Sequence, residues 1–265
     1  MRCSIGSPDA VSSLPDDWSD GYVAAFHAER AGITERVLAR SHAAGVDPYA
    51  WCAAALGSTG GPLVDVACGS GPLAEHLRGW LGLDRSSDEL AAAASAGRGP
   101  LLQASADQLP LPDGAVGTLA CSMSLQVLEP LGAVLAEIGR VLRPGGKAVA
   151  LLPAARPAAL ADSLVYLRLQ VALRTRIGYP HDELLRPATL APLAARSGLT
   201  LTSDDHRSFA LPLRCDADID ELLASFYLPG VGRARLNRAR RVLRARLGRD
   251  LAIPLRRLVF DRAGP

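Results

Sequence analysis

The chain has 265 residues, 49% of them hydrophobic, which suits one large domain or a core with a cap. Its formal net charge of +2 sets up no global field toward nucleic acid, and no uncharged run of about 18 apolar residues predicts a membrane span. Five scattered cysteines (Cys3, Cys52, Cys68, Cys121 and Cys215) form no C-x-x-C pair, which argues against a zinc site or a disulfide framework and for a reducing, cytoplasmic setting.

The N-terminal stretch MRCSIGSPDAVSSLPDDWSD has no apolar h-region, so no secretory signal is expected. Residues 1–15 read as a disordered leader. Residues 20–39 read as one helix in which Val23, Phe26, Ile33, Val37 and Leu38 share a broad face, interrupted by Gly32. Residues 49–56 read as a second helix, and Ser58-Thr59-Gly60-Gly61-Pro62 marks a junction. Strands are expected at 63–67, 80–83, 101–104, 115–121 and 147–152, with helices at 72–78, 88–96 and 131–142 between them. That alternation implies parallel βαβ units. Past Pro153 the rhythm changes: helices are expected at 160–174, 187–197, 218–227 and 233–247, and a sixth strand at 199–203. The last strand is placed at 254–260, with 208–213 as its rival.

All but one of the basic residues are arginine, Lys147 being the sole lysine. Arginines gather in VGRARLNRARRVLRARLGRD, where Leu236, Ala239, Leu243 and Leu247 fall near helical spacing. The segment reads as an amphipathic helix with a solvated basic face, and its alternative is a phosphate-gripping patch. It carries no aromatic residue for base stacking.

Gly69-Ser70-Gly71-Pro72-Leu73-Ala74 fits G-x-G-x-x-G/A, a loop that lets backbone approach a nucleotide. Asp84 closes the second strand, where an acid binds ribose hydroxyls. Both features suit NAD as well as other nucleotides. Asp65, just ahead of the loop, is one discriminator, because a dinucleotide binder keeps the helix N-terminus free for a pyrophosphate. The downstream sequence is the other. D-V-A-C-G-S-G at 65–71, L-D at 83–84, A-D-Q-L-P-L-P-D at 106–113 and E-I-G-R-V-L-R-P-G-G at 137–146 together resemble class I S-adenosylmethionine (SAM) methyltransferases. The resemblance covers residues 63–152 and is nearest to the small-molecule branch that includes menaquinone and ubiquinone biosynthesis enzymes.

The resemblance implies SAM as cofactor, S-adenosylhomocysteine as product and no metal. It implies that Gly69 and Gly71 pass under the methionine part, with Ala67 and Ser70 beside them. Asp65 orients the loop or the amino group. Asp84, next to Arg85, accepts from both ribose hydroxyls. Asp107 takes the adenine amino group, with Ala106 and Gln108 adjacent. Ser122, Met123 and Ser124 follow the fourth strand near the reactive methyl. The bland alternatives stay open: Asp84 as a turn former, Met123 as core, and Cys68 as a small packed side chain.

Many similar enzymes carry a histidine after the fourth strand; here Gln126 stands there, and glutamine orients an acceptor but is no general base. Candidate bases therefore lie in the caps. The N-terminal helix carries Tyr22, His27 and Arg30, which the resemblance places over SAM and the acceptor. YPHDEL holds His181 in the insertion after strand five; His206 is a lesser candidate. Tyr166, on the 160–174 helix, lines an apolar acceptor pocket, unless that helix packs on the sheet or a second subunit.

The resulting expectation is an α/β protein with a Rossmann-like, doubly wound seven-stranded sheet, mostly parallel with one antiparallel strand. An N-terminal helical cap (16–60), a SAM core (61–153) and a C-terminal half with lid helices (154–265) form one domain. The function expected is methyl transfer to a small, apolar or aromatic, natural-product or quinone-like acceptor, by a monomer or homodimer. The rivals are a nucleic-acid methyltransferase and a SAM-binding protein without methyl transfer, regulatory or catalysing a rearrangement.

Overall fold

The computed structural model describes residues 18, 20–57, 61–154, 159–182 and 186–264. The leader expected over 1–15 and residues 58–60 of the breaker cluster lie outside them. Helices α1 (Asp20–Glu29), α2 (Ile33–Leu38) and α3 (Pro48–Leu56) precede strand β1 (Leu63–Val66). Strand β2 (Trp80–Asp84), helix α4 (Ser87–Ser95), strands β3 (Leu101–Gln103) and β4 (Val116–Ser122), helix α5 (Leu131–Val141) and strand β5 (Leu142–Pro153) follow. Then come α6 (Leu160–Leu173), α7 (Pro187–Ala195), β6 (Leu199–Pro212), α8 (Asp216–Ser225), α9 (Arg233–Arg244) and β7 (Asp250–Arg262).

The sheet has seven strands in the order β3-β2-β1-β4-β5-β7-β6. β1 and β4 are nearly unbroken runs of buried residues, as parallel strands covered on both faces must be. Val64 lies beside Leu81 and Leu119 in parallel register, whereas Val149 faces Val259 on the reversed strand β7. The expected mostly parallel sheet with one antiparallel strand is thus the one observed. From β1 the chain builds outward through β2 and β3, then returns to place β4 on the other side. The strand order reverses there, and the crevice at the carboxyl ends of β1 and β4 is where such sheets bind ligands.

By contacts the chain divides into two compact units, each discontinuous in sequence. The sheet unit comprises Pro48–Ala154, Tyr179–Arg207 and Leu255–Pro265. Its core packs α5 and α7 on the sheet: Leu131, Val134, Leu135 and Ile138 recur at helical spacing and meet Leu190 and Phe260. Burying each such side chain stabilises the unit by about 1.5–3 kcal/mol. The helical unit comprises the chain up to Asp47, Ala155–Gly178 and Ser208–Pro254. There α6 packs on α9 and α2 on α8, with Arg40 bridging Asp218 and Glu221, each at 2.6 Å.

Several boundaries differ from expectation for identifiable reasons. The single helix expected over 20–39 is two, because Gly32 turns left-handed (φ 71°) between them. The helix expected at 72–78 is one 3-10 turn, Pro72–Glu75, since the chain must reach β2 four residues after His76. Pro144-Gly145-Gly146, between the helix expected at 131–142 and the strand expected at 147–152, lies within β5 beside a register shift between Val116 and Thr118. The sixth strand and the 208–213 rival are both parts of β6, and the last strand is β7. The polar middle of β6 reads as loop, but Asp204 and Asp205 pair with Arg256 and Arg257 of β7 at 2.7 and 3.0 Å.

Candidate cofactor and acceptor site

The Gly loop leaves β1 through Ala67, a left-handed alanine (φ 53°), and folds back on β2, with Cys68 N donating to Leu83 O at 3.0 Å. Trp80 shapes the floor beneath it. A Cβ at Gly82 would lie 2.5 Å from the indole, and one at Gly71 (φ 76°) 2.9 Å from it. The ring therefore fits against both only because neither carries a side chain. Arg98 holds the loop's other flank, donating to Ser70 O at 2.8 Å. Asp84 ties loop, strand and helix: its Oδ2 accepts from Gly69 N and its Oδ1 from Ser86 N, both at 2.8 Å. A carboxylate is an acceptor-only group of the kind that ribose hydroxyls donate to.

Asp65 sits inside β1, wholly buried, and neither carboxyl oxygen has a hydrogen-bond partner among the described residues. Burial, and then the Asp84 charge, push its carboxyl up to about 8. A carboxylate left this way costs free energy until a donor or cation meets it. SAM brings both, an α-ammonium and a sulfonium, so the donor set fits that cofactor. Glu89, buried in the first turn of α4, adds a third acid whose Oε2 comes within 3.6 Å of a Cβ built on Gly69. Burial, and then the Asp65 charge, raise the Cys68 thiol, so Cys68 stays protonated. Cys121 is pushed up to about 12, mainly by burial.

Asp107 forms a tight turn: Gln108 N donates to Ser105 O at 3.2 Å, and Ser105 Oγ donates to the Asp107 carboxylate. Ala106 is buried beside it, and the Arg85 carbonyl accepts from Gln103 Nε2 at 2.9 Å. After β4 the chain turns through a left-handed Met123 (φ 55°) into a helical turn with Leu128 N on Ser124 O at 3.1 Å. Ser124 Oγ is spent on Cys121 Sγ at 2.8 Å. Gln126 is buried, and its Nε2 donates to Met123 O at 2.6 Å; among the described residues its Oε1 has no partner, nor has Ser122 Oγ. His181 reaches this segment, its Nε2 buried and 3.4 Å from Glu129 Oε1.

The sheet unit thus carries Asp65, Ala67, Gly69, Ser70, Gly71, Asp84, Arg85, Ala106, Asp107, Gln108, Ser122, Met123, Ser124, Gln126 and His181. Tyr22, His27, Arg30 and Tyr166 belong to the helical unit and are engaged there. Tyr22 Oη accepts from Leu228 N at 2.7 Å, His27 Nε2 bonds Tyr227 Oη at 2.9 Å, and Arg30 donates to Ala224 O at 3.0 Å. Tyr166 donates to Ala252 O at 2.8 Å. Trp80, Arg98, Glu89 and Glu129 were not singled out in the sequence. For Glu89 a signal exists, the S-x-x-E spacing from Ser86, whose Oγ accepts from Glu89 N at 3.3 Å.

Residues 64–150 match the family described as "Methyltransferase domain". No curated protein matches. Solved structures with a similar fold include the [4+2]-cyclase SpnF, at 18% identity and TM-score 0.59, covering 96% of this chain and 100% of that one. A putative methyltransferase from Bacillus halodurans matches at 15% identity and TM-score 0.55, over 82% and 99% of the two chains. YcgJ from Bacillus subtilis matches at 14% identity and TM-score 0.54, over 82% and 98%. At these identities the structures share a fold with this chain; their substrates remain their own.

Proposed function

We propose that the chain, whose residues 64–150 match the family described as "Methyltransferase domain", is a SAM-dependent enzyme that methylates a small apolar or aromatic acceptor, natural-product or quinone-like, with His181 taking the acceptor's proton. The observation that carries this reading is Asp65, a fully buried carboxyl with two unpartnered oxygens at the head of the Gly loop. It is the group that a cationic cofactor satisfies.

In this reading Asp65 holds the amino group, Asp84 the ribose and Asp107 the adenine, while Gly69 and Gly71 keep the loop low enough for backbone contact. The cofactor supplies an electrophilic methyl on a sulfonium that leaves as a neutral thioether. The chain's part is alignment, a proton site and exclusion of water; alignment alone is worth up to about 7–11 kcal/mol in favourable cases. Gln126 aligns: with Nε2 committed to Met123 O, Oε1 receives a second O–H or N–H of the acceptor, not the one that loses its proton. His181 takes the proton as the bond to carbon forms, and the Glu129 carboxylate, 3.4 Å away, stabilises the imidazolium.

A second reading keeps the cofactor and drops the transfer, as in a rearrangement catalyst. It is favoured by Gln126 itself, which is not a base. Incubating the purified chain with SAM and a panel of small phenols and quinols separates the two. Formation of S-adenosylhomocysteine together with a product heavier by one methyl supports transfer. SAM binding without either product across the panel supports the second reading.

A further inference from the structure

Helix α6 is apolar on two opposite faces. Val165, Leu169 and Leu173 are buried, and the helix packs on α9. On the other side Leu160, Leu164, Leu167 and Val171 are 77%, 46%, 54% and 69% exposed. Their 4-3-4 spacing aligns them in one stripe along a helix of about 21 Å. Single exposed leucines are ordinary, but a continuous stripe of four is a surface for something.

The charges around the stripe narrow what that is. Arg168 lies one turn beyond Leu164 on one side, and Arg174 follows Val171 on the other. Both are exposed, and neither has an ion-pair partner among the described residues. The only acid of α6, Asp162, is paired with Arg246 at 3.1 Å. The face is therefore aliphatic in the middle and cationic at both flanks. A second copy seated stripe to stripe would bring two such flanks together, and the acid that α6 itself carries is already paired. Four side chains also fall short of the roughly 800 Å² per partner that a stable dimer buries. A protein partner would be expected to find an aromatic anchor or a pocket, and the stripe offers neither. An acyl-chain surface with anionic headgroups needs only what is present, aliphatic side chains to insert and arginines at headgroup depth.

We propose that the outward face of α6 is a docking surface for an anionic lipid bilayer, on which the helix lies with Leu160, Leu164, Leu167 and Val171 inserted and Arg168 and Arg174 at the phosphates. This goes beyond the methyl-transfer reading and does not depend on it.

The test is co-sedimentation of the full chain with sucrose-loaded vesicles, either pure phosphatidylcholine or phosphatidylcholine mixed with phosphatidylglycerol. The partition coefficient is expected to be at least about tenfold higher on the mixed vesicles and to fall with added salt. Leu164→Asp/Leu167→Asp should abolish binding, and Arg168→Glu/Arg174→Glu should remove the preference for phosphatidylglycerol. Circular dichroism and SAM titration should be unchanged in both variants, showing that they fold. No binding to the mixed vesicles overturns the proposal. So does binding that survives Leu164→Asp/Leu167→Asp, which would place the contact on another surface. A dimer in light scattering that Leu167→Asp dissolves would assign the stripe to a second copy instead.

Discussion

Asp84 holds the Gly loop in place: one carboxylate oxygen accepts from Gly69 N and the other from Ser86 N, both at 2.8 Å. The same side chain that is proposed to read the ribose thus also sets the distance between the loop and the start of α4. Asp84→Ala removes both functions. SAM affinity should fall at least tenfold, about 1.4 kcal/mol, and stability by about 1–3 kcal/mol from the unpaired N–H groups. Asp84→Asn keeps one acceptor and should lie between. Unchanged affinity in Asp84→Ala, measured by calorimetry, would remove the ribose from this site.

The Asp65 carboxyl sits near 8 in the folded chain and near about 4 when unfolded. The folded state therefore keeps a proton that the unfolded state releases, so stability should decline as pH rises from about 4 to about 8. A cationic cofactor favours the ionised form. SAM affinity should accordingly rise with pH over the same window, with release of a proton on binding. Titrations in buffers of different ionisation enthalpy read that proton directly. Asp65→Asn should flatten both profiles, and a retained pH dependence in that variant would assign the proton elsewhere.

His181 and His27 make opposite predictions. His181→Ala should lower methyl-transfer turnover by about 10²–10⁴-fold with SAM affinity intact. Glu129→Gln should lower it less and shift the pH profile. His27 is bonded to Tyr227 within an aromatic cluster with Tyr22 and Phe26. Its replacement by Ala should cost about 1 kcal/mol of stability and little turnover. A turnover loss confined to His27→Ala would move the proton acceptor to the helical unit.

Trp80 fills the space that two glycines leave. Gly82→Ala would put a Cβ 2.5 Å from its ring, so the indole must shift. Thermal unfolding should show a loss of about 1–3 kcal/mol, together with weaker SAM binding because the loop rests on the same ring. A variant as stable as the parent and with equal SAM affinity would show that the ring relocates at no cost.

Much of the fold around the Gly loop was legible in the sequence because its signals are local. A strand followed by a Gly loop, an acid closing the next strand, and turn formers at fixed offsets each act within a few residues. The parallel βαβ units followed from the same alternation, while the strand order did not, because it depends on which strands pair across the chain. What was hidden depends on residues far apart in the chain. The polar middle of β6 is a strand because Arg256 and Arg257 stand opposite it. His181 gains a partner only because the insertion folds onto Glu129. Tyr22, His27 and Arg30, which resemblance placed over the cofactor, find partners at residues 224–228 that no local pattern links to α1.

The most direct test of the central claim is a calorimetric titration of the purified chain with SAM, alongside NAD and the Asp65→Asn variant. SAM should bind at about 1–100 μM, a range usual for enzyme ligands, with loss in the variant and no heat from NAD. Binding of NAD, or SAM affinity indifferent to Asp65, would contradict it.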